Sequence, residues 1–356
     1  MKLVIAGGGT GGHVFPGIAI AQALLKIDPN SQILFVGTQR GIEKTAIPKA
    51  GFHIEFIDVA GIKGHSVKKI LSSLFKLPAA IFASLQILKN HHTDVVIGIG
   101  GYASGPVLLS AWLMRIPIAI CEPNSVPGLT NIVLGYLSKR IFGGFQKTGE
   151  HFSKRKFLFV GNPLREEFQS TTLKPHTVPL ITIVGGSLGA HVFNEVVPKA
   201  LALLKQANFQ FNILHQTGRN NEEQVRKHYE KLNIKADVRA FIDDMLAVYE
   251  QSDIFISRSG AAACAEIAAV GVASILIPFP YAIYNHQTQN ANELASAHAA
   301  ILLQQDQMTA KRLANEIQSL LSDEQHRFEM AKRARQLGRL DAANQIALAA
   351  LGRFND

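Results

Sequence analysis

The sequence predicts an α/β protein of two similar domains, each a parallel sheet wrapped by helices. Three observations predict it. The chain has 356 residues, more than one hydrophobic core usually supports. Short apolar runs without alternation recur between helical patterns, as strands buried on both faces require. A strand running straight into a glycine loop also occurs twice. Leu3, Val4, Ile5 and Ala6 lead into GGGTGGH, and Leu180, Ile181, Thr182, Ile183 and Val184 lead into GGSLGA. Laid over each other without a gap, Gly8, Gly9, Thr10 and Gly12 fall on Gly185, Gly186, Ser187 and Gly189. Ala23 and Leu24 fall on Ala200 and Leu201, near the end of the helix each loop opens.

In order along the first half, strands are expected at 2–6, 32–36, 53–57, 95–99, 116–121 and 140–142. Helical patterns lie between them, one over 17–26 with Pro16 tolerated in its first turn. The second half repeats the style, with strands at 180–184, 210–215, 238–241, 253–257 and 274–278. Residues 159–163 read as the boundary and 170–179 as a loop, giving domains over 1–160 and 161–334. The tail from about 331 is basic, alanine-rich and helical, and its end at about 335–356 is expected to pack back on the first domain.

The net charge of +9 and pI of about 9.5 favour anionic partners. No basic block long enough for a nucleic-acid arm occurs, so nucleic acid is not expected. Cys121 and Cys264 lie far apart, outside any metal or redox spacing, and read as buried thiols of a reducing compartment. The first residues form a strand with glycines, so no secretory signal is expected, and no apolar run is long enough for a spanning helix.

A strand, a glycine turn and a helix N-terminus make an anion site, because bare N–H groups and the helix dipole favour negative charge. Two such sites suggest a phosphorylated ligand held between the domains. Gly98, Gly100 and Gly101 form a third cluster after an apolar strand. Gly7, Gly9 and Gly12 also fit G-x-G-x-x-G, which makes a dinucleotide oxidoreductase the obvious rival. That reading wants an acid at the end of the second strand, where this chain has Val36-Gly37-Thr38-Gln39-Arg40. Arg40 leaves an NADP enzyme open. His13 follows the first loop; it reads either as a surface residue or cap, or as a general base beside the ligand. Glu266, in SRSGAAACAE, lies one to two turns into a helix after another glycine turn; it reads either as a carboxylate that reaches ribose hydroxyls or as an acid favoured near a helix N-terminus. Gln287 and Asn290 supply amides of the kind that sugar hydroxyls need, though an exposed polar helix start explains them equally. The stretch 61–92 carries Lys63, Lys68, Lys69, Lys76 and Lys89 and no acid, with Leu74 and Phe75 in an apolar stripe of helical spacing. Part of that stripe is core; a basic segment with surplus apolar residues also suits an anionic membrane surface, with Lys68, Lys69, Leu74, Phe75 and Lys76 as the contacts.

The chain resembles the MurG family of bacterial transferases over essentially its whole length. The matching stretches are GGGTGGHVFPGIAIA, GIGGYASGP, EPNSVPGLTN, VGNPLR, GGSLGA, FIDDM, SRSGAAACAEIAAVG and HQTQNA. The resemblance implies two Rossmann-like domains facing across a cleft, the GT-B glycosyltransferase fold. It implies an inverting hexosyltransferase that moves N-acetylglucosamine from UDP-N-acetylglucosamine to the muramyl 4-hydroxyl of an undecaprenyl-pyrophosphoryl muramyl-pentapeptide. Carried over by position, Thr10, Gly11 and Gly12 sit against donor and acceptor. Asn124, Arg165 and Ser187 contact the donor, and Ile242 meets the uracil. Ala261, Ala262, Ala263, Cys264, Ala265 and Glu266 wrap the pyrophosphate and ribose, and Gln287 reads the sugar. His13 is the first choice for the base and Glu122 the second; Tyr102, Asn194 and Arg258 match further functional positions. Ala263 and Ala265 stand where some relatives carry hydroxyls. The length of 280–285 differs as well, which leaves His286 as an alternative to Gln287. No cofactor is implied; a divalent cation is compatible with this chemistry, but no D-x-D pair stands at a strand end near the loops. The implied setting is the cytoplasmic face of the bacterial inner membrane, on its anionic leaflet, with other cell-wall synthesis proteins as company. A related UDP-sugar transferase, a UDP-sugar epimerase of the same architecture and a non-catalytic nucleotide-sugar-binding scaffold remain the alternatives.

Overall fold

The structure, a computed structural model, describes residues 1–59, 67–171, 173, 176–186 and 188–354, with the side chains of 67–76 left out. The chain divides into two compact units. One comprises Met1–Glu166 and Arg339–Asp356, the other Glu167–Gly338.

The first unit holds a seven-stranded sheet. In chain order its elements are β1 (Lys2–Gly7), α1 (Gly11–Ile27), β2 (Gln32–Gly37), α2 (Glu43–Lys49), β3 (His53–Phe56), α3 (Val67–His91), β4 (Val95–Gly100), α4 (Ser104–Leu113), β5 (Ile118–Glu122), α5 (Leu129–Gly135), β6 (Arg140–Gly143) and β7 (Phe157–Phe159). All neighbours pair in parallel, in the order β3-β2-β1-β4-β5-β6-β7. Strand β4 is buried along its whole length, as its unbroken VVIGIG run requires. One face of the sheet packs on Val14, Ile18 and Leu24 of α1, the other on Val107, Leu108 and Ala111 of α4. Helix α1 starts at Gly11, earlier than the sequence suggested, so Pro16 lies inside it. Its missing N–H leaves the Gly12 carbonyl without its usual intrahelical donor.

The second unit repeats the plan: β8 (Leu180–Val184), α6 (His191–Gln206), β9 (Asn212–Gln216), α7 (Glu222–Lys231), β10 (Asp237–Arg239), α8 (Met245–Gln251), β11 (Ile254–Ser257), α9 (Ala261–Val270), β12 (Ser274–Leu276), α10 (His286–Ala295), β13 (Ile301–Leu302), α11 (Ala310–Ser322) and α12 (Glu324–Leu337). Its parallel sheet runs β10-β9-β8-β11-β12-β13. Strand order therefore reverses at the equivalent place in both sheets, between β1 and β4 and between β8 and β11. At such a switch point adjacent loops diverge and open a crevice at the carboxyl ends of the strands. The fold is α/β with two parallel sheets, as the apolar strand pattern requires. The short edge strands β7 and β13 were not visible in the sequence, since three and two residues carry no periodicity.

The basic tail is two helices. Helix α12 ends at Gly338, and α13 (Ala342–Leu351) belongs to the first unit, where Ala343, Ile346, Ala347 and Ala350 join the core against α1.

Candidate active site

In the first unit the β1 loop and the β4 loop meet at the switch point. The Gly8 N–H donates to the Gly100 carbonyl at 3.2 Å. His13, in the first turn of α1, lays its imidazole against Gly100. A Cβ there would stand 2.9 Å from the ring, and Gly100 has φ +91°, so only glycine fits. The Thr10 hydroxyl lies 3.5 Å from His13 Nδ1. Tyr102, two residues after Gly100, is 58% exposed. Thr10, Gly11, Gly12, His13 and Tyr102 are thus gathered at one end of the sheet.

The sequence reads both glycine loops as anion sites, but the first loop differs from the second. Fully buried Glu43, at the start of α2, accepts from the Gly9 N–H at 2.8 Å, the Thr38 N–H at 3.1 Å and the Thr38 hydroxyl at 2.8 Å. With Gly8 and Gly9 both spent internally and a carboxyl group beneath them, the turn itself offers an anion little. What remains open is the start of α1, which has no side-chain cap.

Glu122 stands at the carboxyl end of β5 and is only 2% exposed. One oxygen accepts from the N–H and the side-chain amide of Asn124 at 3.0 and 3.2 Å. The other accepts from the Gly128 N–H at 3.2 Å and the Asn131 amide at 2.7 Å. Burial raises its pKa against those bonds. A carboxyl group so enclosed cannot reach a substrate hydroxyl, so its candidacy as the base is withdrawn. It holds the 123–131 loop in shape, Asn124 included. Arg165 is half-buried at the end of this unit's first segment. The membrane contacts expected at Lys68, Lys69, Leu74, Phe75 and Lys76 lie outside the described side chains.

In the second unit a cavity of about 620 Å³ opens at the switch point. Gly185 and Gly186 of the glycine loop, Arg258, Ala263, Gln287 and Gln305 line it. Ser187 lies outside the described residues. Gly189 closes the loop with φ +74°, where a Cβ would strike the Thr217 carbonyl. Asn194 donates to that carbonyl at 3.1 Å and is buried behind the loop, so it braces the turn and does not line the cavity. Helix α9 begins after Gly260 without a side-chain cap, leaving the N–H ends of its first turn at the cavity. Ala261, Ala262, Ala263, Cys264 and Ala265 form that turn and the start of the next. The Cys264 thiol is fully buried, and burial pushes it up to about 12, so it is inert.

Glu266 is half-buried on α9 and accepts from the Tyr249 hydroxyl at 3.0 Å. Tyr249, itself buried and stacked on Phe255 at 4.5 Å, also lines the cavity. Arg258 is gripped from every side. Its Nη1 donates to the Ile277 and Pro278 carbonyls at 3.1 and 3.0 Å and its Nη2 to Gln305 Oε1 at 2.7 Å. The guanidinium sits 4.8 Å from the Phe193 ring and 5.5 Å from Phe279. Burial brings it down to about 10, so it stays cationic at neutral pH.

Of His286 and Gln287, the cavity lining includes Gln287. His286 turns its Nδ1 to the Ile283 carbonyl at 2.7 Å, while Gln287 lines the cavity with its Oε1 fixed by the Phe279 N–H at 2.9 Å. Two left-handed residues, Tyr284 and Asn285 (φ +53° and +55°), swing the chain into α10 to achieve this. Ile242 is buried beyond β10 and does not line the cavity. Sequence reasoning missed Glu43, Tyr249 and Gln305. Each acts on a residue outside its own element, and none belongs to a glycine motif.

The N-terminal domain profile of glycosyltransferase family 28 matches residues 3–143, and the C-terminal domain profile of the same family matches 180–346. Two curated relatives are each 44% identical to this chain. The protein of Anaeromyxobacter sp. (strain K) aligns over 98% of this chain and 91% of its own length, and that of Syntrophus aciditrophicus over 97% of both. Both are named UDP-N-acetylglucosamine–N-acetylmuramyl-(pentapeptide) pyrophosphoryl-undecaprenol N-acetylglucosamine transferase. The crystal structure of Acinetobacter baumannii MurG superposes with a TM-score of 0.82 over 99% of both chains at 32% identity. The chain belongs to glycosyltransferase family 28 and, within it, to the MurG family of N-acetylglucosaminyltransferases.

Proposed function

We propose that this protein transfers N-acetylglucosamine from UDP-N-acetylglucosamine to the muramyl sugar of an undecaprenyl-pyrophosphoryl muramyl-pentapeptide, a step of peptidoglycan synthesis. The observation that carries the reading is 44% identity to transferases of that name along 98% of the chain. The second-unit cavity supports the donor half. Its lining presents donors: the first turn of α9, which has no side-chain cap, Arg258 and the amino group of Gln287. Such a lining suits a diphosphate and sugar oxygens. Glu266, oriented by Tyr249, binds the ribose hydroxyls.

The acceptor 4-hydroxyl attacks the anomeric carbon from the face opposite UDP, giving a β-linked disaccharide. His13 takes the hydroxyl proton; its place in the first turn of α1, against Gly100, supports that role. As the glycosidic C–O bond breaks, charge grows on the departing diphosphate, and the α9 N-terminus and the glycine-loop N–H groups meet it without reorganising. No tightly held metal is needed in this scheme, and enzyme treated with a chelator is expected to keep its rate.

The lipid acceptor brings the protein to a membrane surface. No described helix is long and apolar enough to cross one. Exposed apolar side chains on two neighbouring helices support peripheral docking. Phe82 on α3 is 62% exposed and Trp112 on α4 46%, with Leu77, Leu113 and Met114 exposed as well. The Ser110 hydroxyl donates to the Ile81 carbonyl at 3.1 Å and so joins the two helices. A coupled UDP-release assay tests the proposal: release should require the lipid-linked acceptor, and release without it would refute transfer.

A further inference from the structure

We infer that Gln305 is a further donor-site residue, whose carboxamide nitrogen donates a hydrogen bond to an oxygen of the bound nucleotide sugar. The inference rests on the reading of the second-unit cavity as the donor pocket. Gln305 opens the 3₁₀ turn Gln305–Gln307, at the carboxyl end of edge strand β13. All strands of the sheet are parallel, so this is the same edge at which the β8 and β11 loops open. Nothing about the residue stands out in the sequence; the sheet alone brings it to the site.

Its orientation is fixed by chemistry. The group facing it is the Arg258 guanidinium, which has donors only, so the atom turned to Arg258 at 2.7 Å has to be the amide oxygen. The amino group occupies the other arm of the planar fork, and it has no partner among the described residues. Gln305 also lines the cavity shared by Gly186, Ala263 and Gln287. Gln287 is arranged in the same way. The Phe279 N–H, another pure donor, holds its Oε1 and leaves its amino group for a ligand. Two carboxamides are thus locked carbonyl-inward around one cavity, each offering N–H donors. The matching ligand atoms are acceptor oxygens, supplied in this donor by the diphosphate or by the sugar.

The alternative is that Gln305 merely tethers Arg258. A carboxylate would do that at least as well, which makes the two roles separable. Binding of UMP, UDP and UDP-N-acetylglucosamine is measured by calorimetry on the wild type, Gln305→Glu and Gln305→Met, with thermal unfolding of each. Gln305→Glu keeps the partner of Arg258 and should keep the Tm. It should nonetheless lose about 10-fold or more in affinity for UDP-N-acetylglucosamine, because a neutral bond worth about 3–10-fold is lost and a carboxylate then faces an anionic ligand. Gln305→Met should lose the smaller factor. Weakened UDP with unchanged UMP would assign the bond to the terminal phosphate; a loss confined to UDP-N-acetylglucosamine would assign it to the sugar. Equal weakening of all three at an unchanged Tm would assign it to the phosphate attached to the ribose. Wild-type affinity in Gln305→Glu would overturn the inference, as would weakening accompanied by a lowered Tm, which marks a damaged pocket. Failure of the wild type to bind any of them would instead remove the donor-pocket reading and the inference with it.

Discussion

Tyr249 gives the donor site its most discriminating test. Its hydroxyl donates to Glu266 at 3.0 Å from a ring that is fully buried and stacked on Phe255. The structure therefore makes Tyr249 the group that orients the Glu266 carboxylate, the proposed ribose contact. Glu266→Ala removes two charge-assisted bonds of about 1.5–3 kcal/mol each, and even one of them corresponds to about 10-fold or more in donor KM. Tyr249→Phe keeps the ring and its stacking and removes only the aiming bond, about 1 kcal/mol or about 5-fold in donor KM. The two effects must not add. In the Glu266→Ala background nothing is left to aim, so Tyr249→Phe should change donor KM by less than about twofold in that background. The assay is coupled UDP release at saturating acceptor across donor concentrations, with kcat nearly unchanged in all variants. A full Tyr249→Phe effect persisting without Glu266 would show that Tyr249 acts elsewhere. An unchanged KM in Glu266→Ala would remove the ribose assignment altogether.

Three further outcomes are expected. Glu43→Gln turns an amide donor toward the Gly9 N–H and loses at least one of three buried bonds, about 1–3 kcal/mol of stability. A lower Tm with a reduced kcat would tie that clamp to the His13 loop, whereas an unaltered Tm would deny the clamp. His215 is buried against the Tyr229 hydroxyl at 2.9 Å, and burial holds it down to about 3. The unfolded chain takes up this proton below about pH 6.5 and the folded one does not. Stability therefore falls as pH drops through that window, by about 2 kcal/mol at pH 5. Urea unfolding at several pH values should show the slope, and His215→Gln should flatten it by this one-proton component. Finally, Phe82→Ser with Trp112→Ser should weaken binding to anionic vesicles at least tenfold while sparing turnover of a short-chain soluble acceptor; unchanged vesicle binding would place the membrane contact elsewhere.

Parts of this molecule were legible from particular residues. The apolar runs at Val4 and Ile97 and the glycines beside them locate the switch point of the first sheet, because a strand buried on both faces leaves little choice of residue. The two glycine loops read alike, yet Glu43 spends the Gly9 N–H and nothing in the loop's own sequence announces it. Glu122 entered as a candidate base through the family resemblance alone. Four hydrogen bonds from its own loop give it a different task. Tyr249 and Gln305 were invisible for a related reason: their partners, Glu266 and Arg258, reach them only through the packing of α8 on α9 and the edge of the second sheet.

The central claim is group transfer to a lipid-linked muramyl acceptor, and product analysis tests it most directly. Purified protein is incubated with labelled UDP-N-acetylglucosamine and undecaprenyl-pyrophosphoryl muramyl-pentapeptide, and the lipid and nucleotide products are separated and identified. The account predicts one β-linked N-acetylglucosamine on the muramyl sugar for each UDP released, and neither product when the acceptor is omitted. Label that stays on the nucleotide as an epimerised sugar, or UDP formed without the acceptor, would contradict it.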